Sequence, residues 1–438
     1  MKNFSSVGIQ APEILIPNNQ IDIKKWAVVA CDQFTSQPEY WNTVEKITGQ
    51  SPSAYNLILP EAYLGTEKEQ THSSKINSLM EEYLKMNCFQ MIEGIIYIER
   101  YFDNSVRKGL IAALDLEQYD FTDGAGSLIR ATEGTIIDRL PPRIKIRQDA
   151  LLEIPHILVL IDDPEMSVIA PINKSSNSTE LIYDFDLMQN GGHLKGYHVT
   201  SPNLENKIIQ ALEKLISPVI QSEKYGVEKN APPLLFAVGD GNHSLATAKA
   251  VWDKIKYEAP ENHPAQYALV EIVNIHDEGI VFEPIHRLLI GIKENWFLSL
   301  KNYFNNKLDV QKITDFKTLV SAVSNNQTED QVFGTFDKSN FWLVRIKEPS
   351  HTLTVGSIQN CIDDLILKNQ INDVDYIHGN DTILKLGSKS GNAGIYLSAM
   401  RKDSLFRSVI KDGALPRKTF SMGEAHQKRF YLECRKIR

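Results

Sequence analysis

Residues 234–244 read LLFAVGDGNHS, and Leu245, Ala248, Trp252 and Ile255 then fall on one side of a helical pattern. A run of apolar residues predicts a buried strand. Gly239 and Gly241 permit a tight turn, and a helix begins after it. A helix start leaves backbone N–H groups unpaired and carries partial positive charge. Gly241 lets a ligand come close to the backbone, and Asn242 or Ser244 is placed to cap the helix. His243 is placed to bond a phosphate oxygen, and Asp240 to hold a metal ion or a ligand hydroxyl. Gly239, Gly241, Asn242, His243 and Ser244 together predict an anion site. The other reading stays open: a capped strand-to-helix turn without a ligand, because GDG is common in turns. The turn is no Walker loop, since neither GxxxxGKS nor GxxxxGKT occurs.

Strands and helices extend outward from this turn without a strict alternation. Residues 26–30, 92–100, 109–116, 157–161 and 267–275 read as strands, the second and third as a pair. Residues 143–147 alternate Arg143, Lys145 and Arg147 with Ile144 and Ile146, which predicts a strand with one wet face. Residues 38–49 and 76–86 read as helices, and 204–220 as the clearest one. Gly191 and Gly192 suggest a lid loop. His193 and His198 lack a third ligand for zinc. Residues 332–336 and 341–346 read as a hairpin. The character changes after Leu289, which places a boundary near Gly291, with regions 1–290 and 291–438. The mixture predicts an α+β class, mixed sheets with flanking helices.

At 438 residues the chain predicts two or three domains. Hydrophobic residues make up 42% and charged residues 23%, as in ordinary globular chains. A formal net charge of −8 argues against a duplex-gripping protein, which needs clustered cations, and no nucleic-acid partner is expected. Cys31, Cys88, Cys361 and Cys434 are scattered, which predicts reduced thiols rather than a disulfide framework. With no signal-like N-terminus and no membrane-length apolar run, the expected location is the cytoplasm, without a membrane partner.

Four motifs in order carry a resemblance. Thr132-Glu133-Gly134-Thr135 precedes Asp138-Arg139, then come Asp240-Gly241-Asn242-His243-Ser244, Pro284-Ile285-His286-Arg287 and Leu415-Pro416-Arg417-Lys418-Thr419. The chain resembles the domain-of-unknown-function family 1015, which shows an HExT…DR segment, a GHHR-type turn, a PxHR segment and a PxKST-like stretch. The turn is also similar to that of ParB/sulfiredoxin-like proteins, including the free serine kinases. That likeness implies a ParB/sulfiredoxin-like core plus a C-terminal α+β region. It also implies nucleotide phosphates on the turn and an acidic residue that deprotonates a serine hydroxyl. This sequence departs at Thr132, Asn242 and Ser244, where the pattern has His, His and Arg. Losing that Arg removes a bidentate phosphate clamp: either another base such as Arg139 or Arg287 replaces it, or the chain acts on a different substrate.

The resemblance makes Glu133 the candidate general base, with Asp240 and His243 beside it. Arg139, His286 and Arg287 join the turn as candidates for nucleotide binding. Asp32, Thr135 and Lys418 are candidates for the acceptor, and Asp138 and Asp240 for Mg²⁺. The implied cofactors are ATP or ADP with Mg²⁺. The implied reaction is phosphoryl transfer to a small hydroxyl-bearing metabolite, free L-serine first. The alternatives are a phosphatase or nucleotide hydrolase, and a non-catalytic nucleotide-sensing module.

Overall fold

The computed structural model describes residues 1–438 except 123, 135–139, 174–175, 295, 306, 327–329 and 339. The chain forms two compact units: Met1–Ile280 with Gly423–Arg438, and Val281–Met422. The first unit thus closes with the segment Gly423–Arg438, while the expected regions divided the chain once, near Gly291.

The first unit is built on an 11-stranded mixed sheet. Its main path runs Thr179–Asp186, His193–Val199, Ile96–Phe102, Ser105–Asp115, Tyr267–Asn274, Leu158–Ile161, Phe236–Asp240, Ile129–Ala131, Tyr119–Asp120. Leu158–Ile161 lies parallel to Tyr267–Asn274, and Ile129–Ala131 lies parallel to Phe236–Asp240. Tyr267–Asn274 is buried along its whole length. Successive side chains point to opposite faces, so Ala268, Val270 and Ile272 enter one core and Leu269 the other. A strand covered on both sides therefore reads as a continuous apolar run.

Helix Pro202–Leu215 buries Leu204, Ile208 and Leu212 in the first of these cores, as does Asn242–Ile255 with Leu245, Ala248 and Trp252. Helices Pro38–Thr48 and Ile76–Lys85 serve the other core, together with Phe430, Tyr431 and Leu432. On that face Glu271 lies over Gly109 and beside Arg107, whose Nε donates to Glu271 Oε1 at 3.0 Å.

Several local expectations change. Residues 143–147 belong to a helix, Leu140–Arg147, not a strand. Five alternating residues also contain an i, i+4 pair, and Arg143 and Arg147 each find a carboxylate, Glu61 and Glu153. The helix expected over 204–220 ends at Leu215, and Pro218 opens another, because Pro cannot continue a helix interior. Residues 26–30 hold only a two-residue strand, Val28–Val29, which pairs with Phe430–Tyr431. Gly191 and Gly192 form a hydrogen-bonded turn between two strands, not a lid: Leu187 N–H donates to Gly192 O at 2.8 Å.

The second unit holds a six-stranded antiparallel sheet, Leu308–Ile313, Asn340–Ile346, Gln331–Asp337, Asn392–Tyr396, His286–Ile290, Asp373–Ile377. The expected hairpin is its Gln331–Asp337 and Asn340–Ile346 pair. Helix Thr354–Leu367 packs in one of its cores with Trp296, and Leu319 and Ile383 lie in the other. The chain is thus α+β, with sheets flanked by helices. Among the described residues no helix is long and apolar enough to cross a membrane.

Candidate functional site

Strand Phe236–Asp240 runs between Leu158–Ile161 and Ile129–Ala131. The parallel register pairs Ala131 with Val238, and Thr132 Oγ1 donates to Val238 O at 2.6 Å. Glu133 lies two residues past Ala131, as Asp240 lies two past Val238. Both acidic residues therefore leave the sheet at the same end, from neighbouring strands. Carboxyl ends of strands are where ligand-binding groups emerge in open sheets.

Helix Asn242–Ile255 starts two residues before Ser244, and its N-cap is Gly241, with no side-chain capping bond. The expectation that Asn242 or Ser244 caps it is corrected, because both lie inside the first turn. Leu245 N–H is the first to find an intrahelical acceptor, Gly241 O at 3.0 Å. Helix geometry gives the amides of Asn242 and Ser244 in that turn no intrahelical acceptor. Gly241 has φ +78°, and a Cβ there would stand 3.0 Å from Ile157 Cα. Both facts require glycine.

Asp240 Oδ1 accepts Gly241 N–H at 2.9 Å, and Oδ2 lies 3.3 Å from Lys428 Nζ. Burial pushes this carboxyl up. The Lys428 ammonium, His156 and the Gly241 amide outweigh that and hold it below the usual carboxylate range. Asp240 is ionised, and its charge is offset by a lysine.

Beside the helix start opens a cavity of 490 Å³, within the usual range for small-molecule sites. Ser244 and Thr247 line one side, His156, Ile157 and Tyr431 another, and apolar side chains such as Leu57, Met80 and Ile146 the rest. The Arg143–Glu61 and Arg147–Glu153 pairs lie in the wall. Burial, with Asp32 second, pushes the Cys31 thiol up to about 12, so this wall cysteine is no nucleophile. Glu133, Asp240 and His243 are not among the lining residues.

The structure thus brings Gly239, Asp240, Gly241, Asn242, His243 and Ser244 together, with Glu133 on the adjoining strand end. Asp32 belongs to the same neighbourhood, since its charge acts on Cys31 and Tyr431. His286, Arg287 and Lys418 lie in the second unit. Arg287 is fully buried and donates to Ile285 O at 2.6 Å and Lys418 O at 3.0 Å. His286 stacks on Tyr396 and accepts Leu397 N–H at 3.2 Å. Thr135, Asp138 and Arg139 lie outside the described residues. His193 bonds Asp186 and Asp184. Among the described residues no three His, Cys, Asp or Glu side chains are grouped to hold a metal. Sequence reading missed His156, Tyr431 and Lys428. They are 84 to 400 residues from the groups they meet or stand near, so no local spacing marks them.

The chain belongs to the family described as "Protein of unknown function (DUF1015)", whose model matches residues 15–365. No curated protein matches it. Among solved structures it is similar to a mutant of free serine kinase in complex with ADP, at 9% identity and a TM-score of 0.38, covering 77% of this chain and 95% of that one. It is also similar to SbnI with a C-terminal truncation from Staphylococcus aureus, at 10% identity and a TM-score of 0.36, covering 72% and 82%. A conserved hypothetical protein from Pyrococcus furiosus aligns at 11% identity and a TM-score of 0.35, covering 75% and 95%.

Proposed function

We propose that this protein is a nucleotide-dependent phosphotransferase, with ATP or ADP as donor and a small hydroxyl-bearing metabolite, free L-serine first, as acceptor. One observation carries the reading: the uncapped first turn of Asn242–Ile255 contributes Ser244, and the next turn Thr247, to the wall of the 490 Å³ cavity. Unpaired amides at a helix start favour a phosphate. Glu133, at the neighbouring strand end, is the proposed base for the acceptor hydroxyl. Lys428 and the first-turn amides offset charge on the transferred group. His243 is the proposed phosphate contact, and Asp32 the proposed acceptor contact.

Asp240 is the only described carboxylate at the turn assigned to Mg²⁺, and Lys428 already neutralises it. In this reading Mg²⁺ enters on the nucleotide and is held mainly by phosphate oxygens and water, as is usual for this ion.

The test is incubation of the full chain with ATP or ADP, Mg²⁺ and L-serine, with products read by ³¹P NMR. A phosphomonoester of serine is expected. Glu133→Gln should keep nucleotide binding and lose at least about 100-fold in turnover. Unchanged turnover removes Glu133 from the reaction, and no nucleotide binding at millimolar concentration removes the reading itself.

A further inference from the structure

The cavity beside helix Asn242–Ile255 has an apolar wall whose charges are already paired. Leu64, 42% exposed, marks its mouth, while Leu57, Met80 and Leu152 are buried in its depth. Ile146, on helix Leu140–Arg147, lines it from a partly buried position. Glu61 is paired with Arg143, and Glu153 with Arg147. Burial, with Asp32 second, pushes the Cys31 thiol up to about 12, and burial pushes the Tyr431 phenol well above its ordinary value, so both are neutral.

The carboxylates given to the chemistry lie outside this wall. Asp240, held by Lys428, is acted on by His156, and Asp32 acts on Cys31 and Tyr431. His156, Cys31 and Tyr431 line the cavity, whereas Asp32, Asp240 and Glu133 do not. A free amino acid carries an ammonium and a carboxylate. Moving both from water into a space whose charges already have partners is costly. Serine also has little apolar surface to bury there. A nucleoside suits the same space: it is neutral, its base is a flat ring, and a cavity of 490 Å³ is of the size that encloses a ligand of that class. Ser244 joins the two parts of such a ligand. Its hydroxyl-bearing side chain lines the cavity, and its amide belongs to the helix start that favours phosphate.

We propose that this cavity is the nucleoside pocket of the donor, and that the acceptor is bound outside it, on the Asp240 side of the helix start. The position of the acceptor rests on the phosphotransferase reading, while the nucleoside pocket stands without it. Leu64, Met80 and Ile146 then decide which donor is taken.

The experiment compares ADP, adenosine, inorganic pyrophosphate and L-serine on the full chain. By calorimetry ADP should bind at least about 10-fold more tightly than pyrophosphate, because only ADP buries a base. Ile146→Trp, which fills the cavity, should remove that difference and leave pyrophosphate within about 2-fold. Methyl spectra of the unsubstituted protein give a readout independent of the folding of the variant. The ring current of a bound base should move the Met80 and Leu64 methyl resonances with ADP or adenosine, and L-serine should leave them in place. ADP that binds no more tightly than pyrophosphate, ADP affinity unaltered in Ile146→Trp, or methyl resonances moved by L-serine and not by ADP overturns the proposal while the phosphotransferase reading stands. Methyl shifts with adenosine but no binding of ADP or pyrophosphate sink the phosphotransferase reading and leave the nucleoside pocket. No response to ADP or adenosine overturns both.

Discussion

Gly241→Ala tests the turn directly. Any side chain at φ +78° costs about 1–2 kcal/mol in the left-handed region. The new Cβ would also stand 3.0 Å from Ile157 Cα and 3.1 Å from its Cγ1, and the first of these is backbone that must move. Overpacking of this kind costs about 1–3 kcal/mol more. The summed loss is roughly 2–5 kcal/mol. Gly65→Ala is the control, because Gly65 has φ +75° and nothing within 4 Å of its Cβ. It should lose only the backbone part. Urea denaturation of both variants and the parent, analysed by linear extrapolation, gives the difference. The same shift moves the start of helix Asn242–Ile255, so Gly241→Ala should lose phosphoryl-ligand affinity and Gly65→Ala should keep it. Equal stability losses in the two variants would show that the close approach of strand and turn has no energetic weight, and the packing of the turn would have to be rethought.

The buried charges make a second test. Glu271 is 1% exposed between Arg107 and Arg429, so Glu271→Gln should cost about 3–5 kcal/mol in urea, while Glu81→Gln, in an exposed pair with Lys85, should change stability by less than about 1 kcal/mol. Similar small losses in both would show that the buried pairing is not strongly coupled. A third concerns pH. Burial, together with Arg287 and His378, lowers His286 from 6.5 to about 4 against the opposing effect of the Asn380 side chain, so the folded state binds its proton more weakly than the unfolded state. The stability this contributes is complete above about pH 6.5 and is lost as pH falls toward 4, about 3 kcal/mol at most. Denaturation midpoints of the second unit between pH 7.5 and 4.5 should fall more in the parent than in His286→Phe, and parallel profiles would contradict it.

The sequence by itself determined the strand, turn and helix around Gly241, because a buried strand, a left-handed glycine and an amphipathic helix are local properties written in consecutive residues. It also determined the hairpin of the second unit and the α+β class. Motif order identified the family. Residues 143–147 misled because five residues are too few to separate a period of two from a helical turn. Only the tertiary structure decided that Glu133 and Asp240 leave adjacent parallel strands, since strand pairing depends on contacts more than 100 positions apart. It alone returned Gly423–Arg438 to the first unit, setting Lys428 on Asp240 and Tyr431 on His156. Those pairings are made by burial and charge between distant segments, and neither leaves a periodic mark in the residues that take part.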